Sequence, residues 1–240
     1  MNISRIMDRV LFALSVPKCV CCGRRLVYGE KAFCLKCSAD FEDFKNRECS
    51  HCARPLYQCD CSNEFLRSHY VKRVIKCYRY LVRDEKLTGN RLIYSLKRDH
   101  RSDVLDIAAA ELIKAINYSV DNPSKYIFTN VPRRRRAIVE FGYDHSELLA
   151  KEISKHFGAE YISILGSNAK YAQKTLETEE RFKNADFYLK SDIDLTGRGV
   201  IIIDDIITTG ASVGKSASLI RSLGSKDIIA AALGIAYKDS

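Results

Sequence analysis

Apolar and polar residues follow two different rhythms along this chain, and the change falls near residue 70. Before it come short segments, cysteines and turns with few periodic apolar runs. After it, helix-like and strand-like segments alternate. At the start, Ile3, Ile6, Val10, Leu11 and Leu14 share one helical face, which predicts a short amphipathic helix over Met1–Pro17 packed on the body. Val71–Val82, rich in Val, Ile and Tyr, predicts a strand, and Leu87–Lys97 and Asp103–Tyr118 predict helices. In the second helix Val104, Ala108, Leu112 and Ile116 form the apolar stripe, with Ser102 as its cap. Tyr126–Val131 predicts a strand ending at Pro132. Asp144 with Glu147 predicts a capped helix start; Leu148, Leu149, Ile153 and Phe157 are its buried face and Gly158 its end. Tyr161–Leu165 predicts another short strand. Val200–Ile203 is an unbroken β-branched run, expected where helices cover both faces of a sheet. Val213, Ala217, Ile220 and Leu223 mark a helix closed by Gly224, and Ile228–Ala236 a last strand. This alternation predicts an α/β domain over 71–240 with a mostly parallel sheet flanked by helices, preceded by a small cysteine-rich module over 1–70.

With 240 residues, 46% of them hydrophobic, the chain has material for one ordinary domain plus such a module. No apolar stretch approaches the roughly 20 residues that span a bilayer, which excludes an integral membrane protein built of helices. Arg5, Asp8 and Arg9 interrupt the opening segment, which therefore lacks the charge-then-apolar order of a signal peptide. A cytoplasmic protein is expected.

That compartment changes the meaning of the cysteines. Nine of the ten lie between Cys19 and Cys61. In reducing cytosol such pairs read as metal ligands rather than disulfides. The pairs are Cys19/Cys22, Cys34/Cys37, Cys49/Cys52 and Cys59/Cys61. A CxxC turn sets two thiolates on one side of a tight loop, half of a tetrahedral zinc shell. One or two structural zinc ions are expected, and the pattern leaves open which pairs share a metal. The fourth pair is tight, with one intervening residue, and His51 is an alternative donor. Cys21 sits inside the first turn, and Cys77 reads as a small core residue.

Lysine and arginine outnumber acids 39 to 30, a net +9, which permits a phosphate, nucleotide or nucleic-acid partner. Two all-thiolate zinc sites, each net −2, lower this from +9 to +5. The charge alone names no partner.

The sharpest chemical signal is the stretch 200–212, VIIIDDIITTGAS. A buried strand delivers Asp204 and Asp205, Ile206 and Ile207 carry it into a turn, and a helix follows. Free backbone N–H groups at such a turn cradle a phosphate, with Thr208, Thr209 and Ser212 adding hydroxyls around Gly210 and Ala211. Two carboxylates would repel a bare phosphate but accept hydrogen bonds from sugar hydroxyls. The set fits a ribose 5-phosphate, with Asp204 and Asp205 on the 2′- and 3′-hydroxyls and 208–212 on the phosphate. A Walker loop is excluded, because GxxxxGK[ST] is missing.

This stretch resembles the phosphoribosyl-pyrophosphate (PRPP) loop of type I phosphoribosyltransferases. With the cysteine pairs in front, Val131-Pro132 before Arg133, Arg134, Arg135 and Arg136, Gly142-Tyr143 opening a helix, and Gln173 before Arg181 and Asn184, the whole chain resembles the competence protein F (ComF) family. Where that family has Gly-Phe-Asn-Gln, this chain has Gly142-Tyr143-Asp144-His145.

The resemblance implies a phosphoribosyltransferase-like domain behind a zinc module, acting in natural competence and the uptake of single-stranded DNA with its machinery. It implies PRPP binding with Mg, which bridges ribose hydroxyls and pyrophosphate. Arg133–Arg136 would contact pyrophosphate or nucleic acid, and Gly166–Asn184, carrying Gln173 and Arg181, would close over the site. Pentosyl transfer with release of pyrophosphate is the chemistry implied. A nucleobase-salvage enzyme and a catalytically silent PRPP sensor or DNA-binding scaffold are the other readings. The histidines, His145 and His156 among them, show no partner pattern and are expected in ordinary helix or surface roles.

Overall fold

The computed structural model describes residues 16–61, 64–82, 84, 86–168 and 187–236. All but the last two residues of the helix expected over Met1–Pro17 lie outside these, as do Gln173, Arg181 and Asn184 of the expected closing loop.

The centre is a five-stranded parallel sheet, the architecture that the helix–strand alternation predicted. Its strands are β1 (Val71–Arg79), β2 (Ile127–Asn130), β3 (Glu160–Tyr161), β6 (Gly199–Ile207) and β7 (Asp227–Ile235), in the order β1-β7-β6-β2-β3. A separate antiparallel pair joins β4 (Leu165–Ser167) to β5 (Phe187–Leu189). Successive strand residues point to opposite faces, so β6 feeds two cores. Ile201 and Ile203 pack under α3 (Thr88–Arg98), α4 (Ser102–Ser119) and α6 (His145–Phe157). Val200 and Ile202 pack under α2 (Glu64–Ser68) and α7 (Ala211–Ser222). All four are fully buried, as a β-branched run between two helical layers requires.

Two local expectations change. Ser102 is the first helical residue of α4 rather than its cap; Arg101 precedes it and no side chain caps the end. Asp103 instead accepts the Ala32 N–H at 2.7 Å and the Arg101 Nε–H at 3.0 Å, tying the cysteine module to this helix. The strand expected over Tyr161–Leu165 is broken. The Ile164 N–H bonds back to the Ile162 carbonyl at 3.0 Å, and the resulting turn sends Leu165 into the second sheet.

In front of the sheet lie α1 (Leu35–Lys45) and two knuckles of like geometry. Cys19 N–H bonds to Arg24 O and Gly23 N–H to Cys19 O, at 2.8 and 2.9 Å. Cys49 N–H to Arg54 O and Ala53 N–H to Cys49 O repeat the pattern at the same distances. Both turns need a left-handed residue, supplied by Gly23 at φ 73° and by Ala53 at φ 54°. A final short turn, Leu56–Gln58, and α2 lead from the second knuckle into β1.

Between β2 and β6 the chain reverses its direction of winding. From β2 it runs through α6 outward to β3; from β6 it runs through α7 to β7 on the other side. In parallel α/β sheets such a switch point leaves a crevice at the carboxyl ends of the two strands, where ligands bind.

Candidate functional site

Asp204 and Asp205 stand at the carboxyl end of β6, at this crevice. Being adjacent in a strand, they part company. Asp205, 6% exposed, turns toward α3 and α6. Its Oδ2 is ion-paired with Lys97 Nζ, and its Oδ1 lies 3.4 Å from His145 Nε2. Burial pushes this carboxyl up, but Lys97 and then His145 outweigh it and hold Asp205 below the usual carboxylate range. Among the described residues no cation is ion-paired with Asp204. Its Oδ1 accepts the Asp205 N–H at 2.9 Å and the Ser146 hydroxyl at 3.5 Å. Burial, and next the charge of Asp205, push Asp204 well above the usual range. One acid is thus committed to protein cations and the other faces the crevice.

His145 is therefore not the ordinary helix residue that the sequence suggested. It is 5% exposed, opens α6 and flanks Asp205. Lys97 escaped notice because a lysine in the last turn of a helix has a sufficient local reason, the helix dipole. The motif around His145 explains how both arrive. Gly142 takes φ 80° to end α5 (Arg135–Phe141). Tyr143 donates its hydroxyl to Leu96 O at 2.7 Å and accepts the His100 N–H at 3.1 Å. Asp144 caps α6 through the N–H groups of Ser146 and Glu147, as expected, and also accepts the Arg133 N–H at 3.0 Å.

The four arginines do not act as one patch. The Arg133 guanidinium donates to Tyr143 O at 3.0 Å and Lys97 O at 3.2 Å, and lies over the Phe141 ring at 4.7 Å. It staples the end of α3 to the start of α6. Arg134 precedes α5, while Arg135 and Arg136 are exposed in its first turn. Only these last three have guanidinium groups outside that staple.

After β6, Ile206 and Ile207 finish the strand, Thr208 and Thr209 form the turn, and Ala211 and Ser212 begin α7. Gly210 sits between them at φ 82°. A Cβ there would stand 2.8 Å from Leu66 Cγ, so this glycine is required by packing against α2 as well as by its left-handed backbone. The Thr209 hydroxyl accepts the Ala211 N–H at 3.3 Å.

The cysteines gather in sequence order, not interleaved. Cys19, Cys22, Cys34 and Cys37 form one set and Cys49, Cys52, Cys59 and Cys61 the other, all four sulfurs of each within 4.8 Å of one another. The tight fourth pair closes the second set, and neither His51 nor Cys21 belongs to one. Cys77 is buried in β1, as expected. Each set holds a thiol already inclined to ionise. The Cys37 N–H, against burial, brings Cys34 down to about 6. Burial pushes Cys49 up, but the N–H groups of His51 and Cys52 bring it to about 6. Four convergent thiols with backbone donors fit zinc, which would be held tetrahedrally and structurally.

The sequence pattern of the phosphoribosyl transferase domain matches residues 144–236, from the cap of α6 to the end of β7. Relatives whose match spans 90% and 88% of this chain carry the similarity beyond that segment. The DNA utilization protein YhgH of Shigella flexneri is 24% identical over 225 residues, covering 90% of this chain and 96% of that protein. Competence protein F of Haemophilus influenzae is 24% identical over 233 residues, covering 88% and 93%. The chain is similar to ComF-family proteins over most of its length. Competence protein ComFC of Streptococcus pneumoniae, 23% identical over 224 residues, covers 88% of this chain and is itself covered to 96%.

Proposed function

We propose that this protein acts as a ComF-like protein, binding PRPP at the crevice between β2 and β6 and serving competence-linked handling of single-stranded DNA. The carrying observation is the β6 terminus: an acid facing the crevice, then a left-handed glycine turn into α7, at the winding switch of a parallel sheet. Asp204 accepts the ribose hydroxyls, and Asp205, fixed by Lys97 and His145, lends the second carboxylate. Residues 206–212 supply the amides and hydroxyls for the 5′-phosphate. Arg134, Arg135 and Arg136 are placed for pyrophosphate or a nucleic-acid backbone. Magnesium bound with PRPP would neutralise pyrophosphate charge. The DNA role rests on the names of the relatives, competence protein F and DNA utilization protein, together with the cationic balance.

Titration calorimetry of the zinc-loaded protein with PRPP should show magnesium-dependent binding that Asp204→Ala with Asp205→Ala abolishes. Undiminished binding in that double variant would remove the site.

A further inference from the structure

Lys76 is fully buried in β1, and its ammonium donates to the carbonyl of Cys61, the last thiol of the second set. No carboxylate among the described residues pairs with it. A buried cation with only a neutral acceptor is costly unless negative charge stands close by. The second thiol set is the source at hand, and the charge of Lys76 does act on the Cys59 thiol. The same residue is level with the crevice. Lys76 pairs with Ala232 of β7, and Ala232 pairs with Asp204 of β6, so the three side chains share one sheet face.

That face is covered by α2, which begins shortly after Cys61. Leu66 of α2, fully buried, is the side chain that a Cβ at Gly210 would strike. Phe65 stands 2.9 Å from where a Cβ at Gly214 would lie. The segment leaving the second thiol set thus leans directly on the turn that opens α7.

We propose that Lys76 is the positioning residue of the second thiolate centre, fixing the tight Cys59/Cys61 turn and supplying its counter-charge, and that metal held there braces the phosphate loop through α2. The bracing half rests on the PRPP reading; the Lys76 half does not. Because coupling between two sites is reciprocal, PRPP bound at the loop should slow loss of metal from Cys49, Cys52, Cys59 and Cys61, and leave the first centre unchanged.

The test follows zinc release from the full-length, zinc-loaded protein into excess of a colorimetric chelator. Cys61→Ser identifies the phase belonging to the second centre. Lys76→Met should release that equivalent at least about tenfold faster with the other unaltered, and Lys76→Arg should recover most of the loss. Release of both at wild-type rates, or equal acceleration of both, overturns the positioning role. Magnesium PRPP should slow the second phase severalfold in wild type but not in Leu66→Ala. PRPP that binds calorimetrically yet slows neither phase overturns the bracing. PRPP that does not bind at all overturns the proposed function, and the bracing with it, while the Lys76 variants still decide the positioning role. If Lys76→Met does not fold, Lys76→Gln replaces it, with the same two outcomes.

Discussion

The two faces of the sheet meet the crevice in opposite ways. On the face of α3 and α6, charges and carbonyl staples lock the structure: Lys97 and His145 on Asp205, Arg133 and Tyr143 across the helix ends. On the face of α2 and α7, contact is made by small residues and bare backbone, with Gly210 and Gly214 under Leu66 and Phe65. One face is held by charge and hydrogen bonds, the other by close approach. The difference teaches that two identical neighbours, Asp204 and Asp205, stand in different surroundings, one held by the Asp205 N–H and the Ser146 hydroxyl and the other by Lys97 and His145.

The strongest way to break this contrast is to remove the two acids separately. Asp205→Ala strands Lys97 and His145 beside each other and should cost about 3–5 kcal/mol, read by urea denaturation. Asp204→Ala should leave stability unchanged or raised at neutral pH while removing PRPP binding by calorimetry. Equal losses for the two would erase the distinction.

The close-packed face answers to size. Gly210→Ala sets a methyl on Leu66 and forces a positive φ on alanine, a cost of about 1–3 kcal/mol. Leu66→Ala in the same chain should recover part of it in a double-mutant cycle; strict additivity would show that α2 does not press on the loop.

Acidity sharpens the comparison by sign. Asp205 has a depressed folded pKa, so its stabilisation is complete above the unfolded value of about 3.9 and is lost as pH falls through the folded one. Asp204 has a raised folded pKa, so stability is lost as pH rises from the unfolded value through the folded one. Thermal melts across pH should therefore show Asp205→Asn flattening the acid side, and Asp204→Asn gaining stability relative to wild type toward neutral pH. Curves that move the same way would contradict the assignment. The smallest effect is expected from His145→Gln, which restores the ComF-family residue and keeps a donor toward Asp205. It should shift stability by about 1 kcal/mol or less, with PRPP affinity kept.

Much of this was legible in the sequence because it is local. The run Val200–Ile203, the Asp144 cap and the Gly158 stop each depend on neighbours within one turn or strand. The loop 200–212 was legible because acids, hydroxyls and glycine stand in chain order. What escaped was set by distant partners. Lys97 and His145 reach Asp205 only because Arg133 and Tyr143 bind two helix ends together. Leu66 reaches Gly210 only across the sheet. The break at Ile162–Ile164 comes from a second sheet whose other strand lies beyond residues 169–186, outside any local window. The arrangement of the cysteine pairs, open in the sequence, is decided by the knuckles that seat them.

Arg133 carries a last consequence. A guanidinium engaged with two carbonyls and an aromatic ring is not free to displace counterions from a polyphosphate backbone. Lys76 in the interior and half-buried Lys97 at Asp205 are similarly engaged, so the cationic character that a nucleic acid would meet is less than the composition suggests. The salt sensitivity of any such encounter should accordingly be shallower than a tally of basic residues would forecast.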